Sequence, residues 1–227
     1  MNNIERLQKV ADGLDELNER VVYVGGSLPG LYSTDSAAPE PRATVDVDCI
    51  VKYRNHADKE LFEEWLRKRH FFEDQGDDAV ICRWIYDGEI VDIMPTDERF
   101  FNFTNRWYET GINTKEQFEL PNGRIINILS VVAFTATKFE ALLSRGNDDY
   151  RGEKDFEDIV YVLDCCTEFV QRLKDEHDDS LKSFVVKQLT DLSLRPNIAE
   201  EIECALPIGD ENRAHDIMHV IDDCKHV

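Results

Sequence analysis

Ile4, Leu7, Val10, Leu14 and Leu17 fall three or four positions apart, the spacing of one face of a helix. This face leads into the apolar run VVYV at 21–24, which reads as a buried strand. Residues 33–42 carry two prolines and the small residues Ser36, Ala37 and Ala38, so a loop is expected there. A second strand is expected at 46–52, then a helix at 58–71 with Leu61, Phe62, Trp65 and Leu66 on one side. The runs 80–86 and 89–94 flank Asp87-Gly88, a dipeptide that favours a tight reversal between antiparallel strands, and Pro95 closes the hairpin. A turn at Asn122-Gly123 precedes one more strand at 124–128. From 130 onward the pattern is helical: 130–145, then 153 to 169 or beyond, then shorter segments. Two of these, 200–204 and 214–224, are expected to pack beneath the 130–145 helix. The pattern predicts an α+β protein, with a mixed α/β half over residues 1–128 and a helical half over 129–227.

Charge narrows what such a fold can bind. The formal net charge is −21, a field that repels nucleic acid and nucleotides unless cations or a local basic patch reverse it. This counts against a non-specific nucleic-acid binder but not against a metal-dependent site, because bound cations can dominate their local potential. Apolar runs such as VVYV and INIL are far too short to span a bilayer, and the N-terminus has no apolar signal core. The expectation is a cytoplasmic protein with no membrane partner. None of the six cysteines forms a CxxC pair, and Cys165-Cys166 lies in an apolar helical stretch, so buried free thiols are expected.

The candidate chemistry begins with Gly25, Gly26 and Ser27, a turn of small residues directly after the first strand. Bare backbone amides in such a turn can hold a triphosphate; the alternative is a tight turn and nothing more. Asp46 and Asp48 stand two apart on a strand, so both carboxylates point to one side and can share a divalent cation. Asp92, alone among Ile90, Val91, Ile93 and Met94, is costly unless paired. It is the natural third ligand of an Mg²⁺ or Mn²⁺ site; the other reading is an edge position or a salt bridge. Nucleotidyl transfer requires an aligned α-phosphate and neutralised attacking and leaving oxygens, which three carboxylates holding metal can supply. In the helical half, Lys138 and Arg145 flank an apolar face and are placed to reach phosphate, while Asp155 and Asp158 flank the apolar face of the next helix. The alternative there is an ion pair between Lys154 and Asp158, with Asp155 at the helix N-terminus.

The order GGS, then Arg42-Ala43-Thr44-Val45-Asp46-Val47-Asp48, then VDIMPTD resembles the AbiEii/AbiGii toxin family of the DNA polymerase β-like nucleotidyltransferase superfamily. ATKFEALLSRG, the Asp-Asp-Tyr stretch at 148–150 and KDFEDIV extend the likeness, which runs from about 21 to about 164. The resemblance implies a nucleotidyltransferase-type mixed sheet flanked by helices, and a C-terminal helical region that completes the active-site cleft. It implies Gly26 and Ser27 on triphosphate, Asp46 and Asp48 on Mg²⁺, Lys138 on phosphate, and Asp155 or Asp158 as a further active-site acid. Arg42 and Thr44 would brace the loop that presents the two acids. The linker between Ser27 and Asp46 is longer than the family's usual spacing.

The implied activity is metal-dependent transfer of an NMP from an NTP to a hydroxyl acceptor, RNA or tRNA, by the toxin of a toxin–antitoxin pair with an antitoxin protein as partner. A small cationic acceptor of the aminoglycoside type is the alternative, and it suits the acidity better. A third reading is a protein-binding relative without turnover. An RNA acceptor further predicts that Arg67, Lys68, Arg69, Arg145, Arg151 and Lys154 build a basic patch.

Overall fold

The Asn2 side chain accepts the Glu5 N–H at 2.8 Å while the Glu5 carboxylate accepts the Asn2 N–H at 2.9 Å, and this reciprocal cap starts α1 (Asn3–Leu14). Its Leu7, Val10, Ala11 and Leu14 are fully buried, as the apolar spacing requires. The computed structural model describes residues 1–76, 79–145, 148–207 and 211–227. Gly146, the last residue of the ATKFEALLSRG stretch, lies outside them. The chain divides into two units, Met1–Leu28 with Ala43–Ser130, and Pro29–Arg42 with Val131–Val227.

The first unit is built on a seven-stranded mixed sheet: β1 (Val21–Val24), β2 (Asp46–Val51), β3 (Phe72–Glu73), β4 (Arg83–Tyr86), β5 (Glu89–Pro95), β6 (Glu116–Glu119) and β7 (Ile125–Ile128). The spatial order is β3-β4-β5-β2-β1-β7-β6, with β2·β5 and β1·β7 parallel and the other neighbours antiparallel. The interior strand β1 is buried along its whole length, and its one polar side-chain group, the Tyr23 hydroxyl, donates to Asn18 Oδ1 at 2.7 Å. Helices α2 (His56–Lys68) and α3 (Tyr108–Asn113) complete the unit. Sequence pattern missed β3, β6 and α3, all of six residues or fewer and too short to establish a period.

In the second unit the chain forms α4 (Val131–Arg145), α5 (Lys154–Cys165), α6 (Phe169–Asp175), α7 (Asp179–Ser193), α8 (Ile198–Ala205) and α9 (Glu211–Cys224). Helix α4 is buried on every side from Val131 to Phe139, a run of apolar and small residues broken only by Lys138. It packs against α5, α6 and α7; α8 packs on α5 and α9, and α9 on α7, α5, α8 and α6, rather than beneath α4 as expected. The proline-containing loop belongs to this unit because it is tied to α5. The Cys165 carbonyl accepts the Thr34 N–H at 2.9 Å, and the Tyr161 hydroxyl donates to the Pro39 carbonyl at 2.9 Å. The cysteines are unbridged; five are buried and Cys204 is exposed. Among the described residues no helix is long and apolar enough to cross a membrane.

Asp58 anchors the start of α2. Its backbone N–H caps on Asn55, and its carboxylate, 4% exposed, accepts from the Arg54 N–H at 3.0 Å, the Arg54 guanidinium at 2.9 Å and the Arg20 guanidinium at 3.0 Å. The Arg54 contacts hold its pKa down at about 2, against 3.8 unperturbed. A depressed carboxylate contributes stability above its unfolded pKa and loses it as pH falls through its folded one. Asp58→Asn is therefore expected to destabilise by about 1–2 kcal/mol at neutral pH. In urea melts, the gap from the parent protein should close as pH is lowered from about 4 to about 2.

Candidate active site

The sheet register alone brings three aspartates together. Asp46 and Asp48 share one face of β2, opposite the fully buried Val47 and Cys49. In the parallel β2·β5 pair Asp48 stands directly beside Asp92, and in the antiparallel β1·β2 pair it stands beside Val24, the residue before Gly25. One carboxylate oxygen from each of Asp46, Asp48 and Asp92 lies within 4.8 Å of the others. Oxygens bound to one divalent cation at about 2.0–2.6 Å stand at most about 5 Å apart, so the set fits a hard ion such as Mg²⁺ or Mn²⁺. Thr44 braces this arrangement: its hydroxyl donates to the Asp46 carboxylate, and its own N–H is accepted by the Asn3 side chain at 3.1 Å.

The Gly25–Ser27 turn abuts the acids. Gly25 has φ +76°, and a Cβ there would sit 1.9 Å from Asp48 Oδ2, so only glycine lets the backbone approach this closely. The Ser27 hydroxyl, at the end of this turn, is buried without a hydrogen-bond partner. A buried orphan hydroxyl costs free energy unless a ligand satisfies it. Negative potential from the acids is felt by neighbouring thiols. Burial, then Asp92 and Asp48, pushes Cys82 up to about 11, and burial with Asp48 and Asp92 raises Cys49 strongly.

Arg83, which sequence reading overlooked, sits directly across β4·β5 from Asp92 and binds it in bidentate fashion, Nε to Oδ1 at 2.9 Å and Nη2 to Oδ2 at 2.8 Å. The two readings of Asp92, metal ligand and salt bridge, are thus compatible, since each carboxylate oxygen has a second lone pair. The pairing raises the Arg83 pKa further, chiefly through the hydrogen bonds to Asp92.

Within the helical unit, Lys138 lies elsewhere than in the expected groove. It is 7% exposed, and its ammonium is held by Asp155 at 3.0 Å and Asp158 at 2.7 Å. Burial opposes its charge, but Asp158 and Asp155 outweigh this and hold its pKa above the ordinary lysine value. Asp158 is gripped by Arg42, Nε to Oδ1 and Nη2 to Oδ2 both at 2.8 Å, instead of pairing with Lys154. Arg145 closes the network on Asp155 at 2.5 Å and on Glu153 at 2.6 Å. Arg42 therefore fastens its loop to α5. Three cations thus meet three anions, with Asp155 Oδ2 held by its ion pair to Arg145 and without an aligned hydrogen bond.

No protein-family model matches the chain, and no curated protein does. Among solved structures, the chain is similar to an antigenic nucleotidyltransferase-like protein from Paracoccidioides brasiliensis, with TM-score 0.52 and 17% identity over 89% of this chain and 93% of that one. The fold is thus nucleotidyltransferase-like and of the α+β class.

Two variants probe these clusters. Arg83→Ala should cost about 2–3 kcal/mol in EDTA, less than for a fully buried pair because the guanidinium is partly exposed. Added Mg²⁺ should recover part of that loss by compensating Asp92, as read from paired denaturant melts. Lys138→Met should cost about 3–5 kcal/mol by leaving two buried aspartates without their shared cation. Its melts should show no recovery on adding nucleotide.

Proposed function

We propose that the protein is a metal-dependent nucleotidyltransferase that moves an NMP from an NTP to a hydroxyl acceptor. The observation that carries this reading is the convergence of Asp46, Asp48 and Asp92 beside a glycine turn that a Cβ would obstruct. Asp46, Asp48 and Asp92 would hold Mg²⁺ or Mn²⁺. Bound there, the metal supplies Lewis acidity toward phosphate oxygens and lowers the pKa of an acceptor hydroxyl. Gly25 and Gly26 let the triphosphate approach the backbone, and the Ser27 hydroxyl donates to a phosphate oxygen. Thr44 and Arg83 fix the carboxylates of Asp46 and Asp92, so that the oxygens need little rearrangement during transfer.

The acceptor is better read as a small, cationic hydroxyl compound than as RNA. Arg67 is paired with Glu73 and Glu63, Arg69 with Asp15 and Glu16, Arg145 with Glu153 and Asp155, and Arg151 with Asp149 and Glu200. Phosphate contacts draw on cations free to exchange their counterions, and these are spent on acids of the same surface. An RNA acceptor, with an antitoxin as partner, is the alternative carried by the toxin-family resemblance.

The test is incubation with each NTP and Mg²⁺ in the presence of total RNA or a panel of aminoglycoside-type acceptors, followed by mass spectrometry. Transfer is expected to disappear in EDTA and return with Mg²⁺. Asp48→Asn should lower it by about 10²–10³-fold while circular dichroism stays unchanged. Equal activity in Asp48→Asn would overturn the assignment. So would the absence of any thermal shift with nucleotide and Mg²⁺, the behaviour of a relative without turnover.

A further inference from the structure

Helix α9 buries Ala214, Ile217, Ile221 and Cys224, a stripe at spacings of three and four that holds it against its neighbours. Two exposed histidines, His215 and His219, stand one turn apart on the same helix. Their rings meet edge to face with centroids 4.4 Å apart and an interplanar angle of 74°, and the two Nε2 atoms are 3.0 Å apart. At that distance two imidazoles can share only one proton, one nitrogen donating and the other accepting; two imidazolium ions would repel. A metal ion can replace that shared proton and take a lone pair from each ring. Imidazole nitrogens on one tetrahedral Zn²⁺ at 2.0–2.1 Å stand about 3.3 Å apart, so the spacing lies within a few tenths of an ångström of a chelate.

We propose that His215 and His219 form a binding site for a borderline divalent transition ion of the Zn²⁺, Ni²⁺ or Cu²⁺ class, clamping the middle turn of α9. Ligand chemistry separates this site from the aspartate cluster. Imidazole favours these ions, whereas an all-oxygen set suits Mg²⁺ and Mn²⁺. The strongly acidic chain also concentrates cations near its surface. Because the helix must be folded to bring residues i and i+4 together, bound metal stabilises α9 by mass action. The proposal stands independently of any nucleotidyltransferase activity.

Its test is calorimetric titration of the full chain with zinc chloride in excess Mg²⁺, alongside two-bond ¹H–¹⁵N spectra of the imidazoles. One equivalent of Zn²⁺ should bind, and the His215 and His219 Nε2 resonances should shift together. His215→Ala and His219→Ala, both at exposed positions, should each weaken that equivalent by at least about tenfold, the scale of loss when a metal-site partner is removed. Asp48→Asn should retain it, and nucleotidyl transfer in His219→Ala should be unchanged. Unaltered zinc binding in both histidine variants, no zinc binding by the parent chain, or loss of binding in Asp48→Asn would each overturn the proposal.

Discussion

Three carboxylates forced onto one patch of sheet set the terms for the first unit. Parallel pairing of β2 with β5 leaves Asp48 and Asp92 side by side, and the two-residue strand period adds Asp46 to the same face. Unrelieved, that repulsion would count against folding. The structure answers it laterally: the Thr44 hydroxyl at one side, the Arg83 fork at the other, and Gly25 packed against Asp48 with no room for a side chain. A row running from the β1 turn through β2 and β5 to β4 therefore has polar function at every step. The strand positions between carry the core, as in the fully buried Val47, Cys49 and Val91.

Much of this was legible because the strands obey simple periods. VVYV, the i, i+2 aspartates and the Asp-Gly reversal each mark a local geometry with few alternatives. Arg83 was equally legible and went unread. A two-residue turn at 87–88 pairs Tyr86 with Glu89, and counting outward puts Arg83 opposite Asp92. Register, not residue type, carried that information. The short elements β3, β6 and α3 owe their form to neighbours rather than to their own pattern, and no local reading reaches them.

The helical half shows where spacing misleads. Lys138 beside an apolar face looked available to a ligand, yet its neighbours one helix away use it up. Nothing in the local sequence of α4 reveals that Asp155 and Asp158 face it, or that Arg42, 116 positions from Asp158, arrives to complete the set. Long-range ion networks of this kind are written in tertiary structure alone. The same holds for Arg69 and Arg145, whose acidic partners come from other elements, whereas Arg67 and Arg151 also find acids locally in Glu63 and Asp149.

The loop from Pro29 to Arg42 has an architectural consequence. Because it is stitched to α5 through backbone and guanidinium bonds, neither unit corresponds to one uninterrupted stretch of polypeptide. A genetic exchange that swapped everything after Ser130 for a foreign segment would strand this loop, leaving its amides and Arg42 without mates. Diversification of the protein should therefore proceed by drift within both units at once, or by transplanting the loop together with the helices it serves, and not by shuffling at a single crossover.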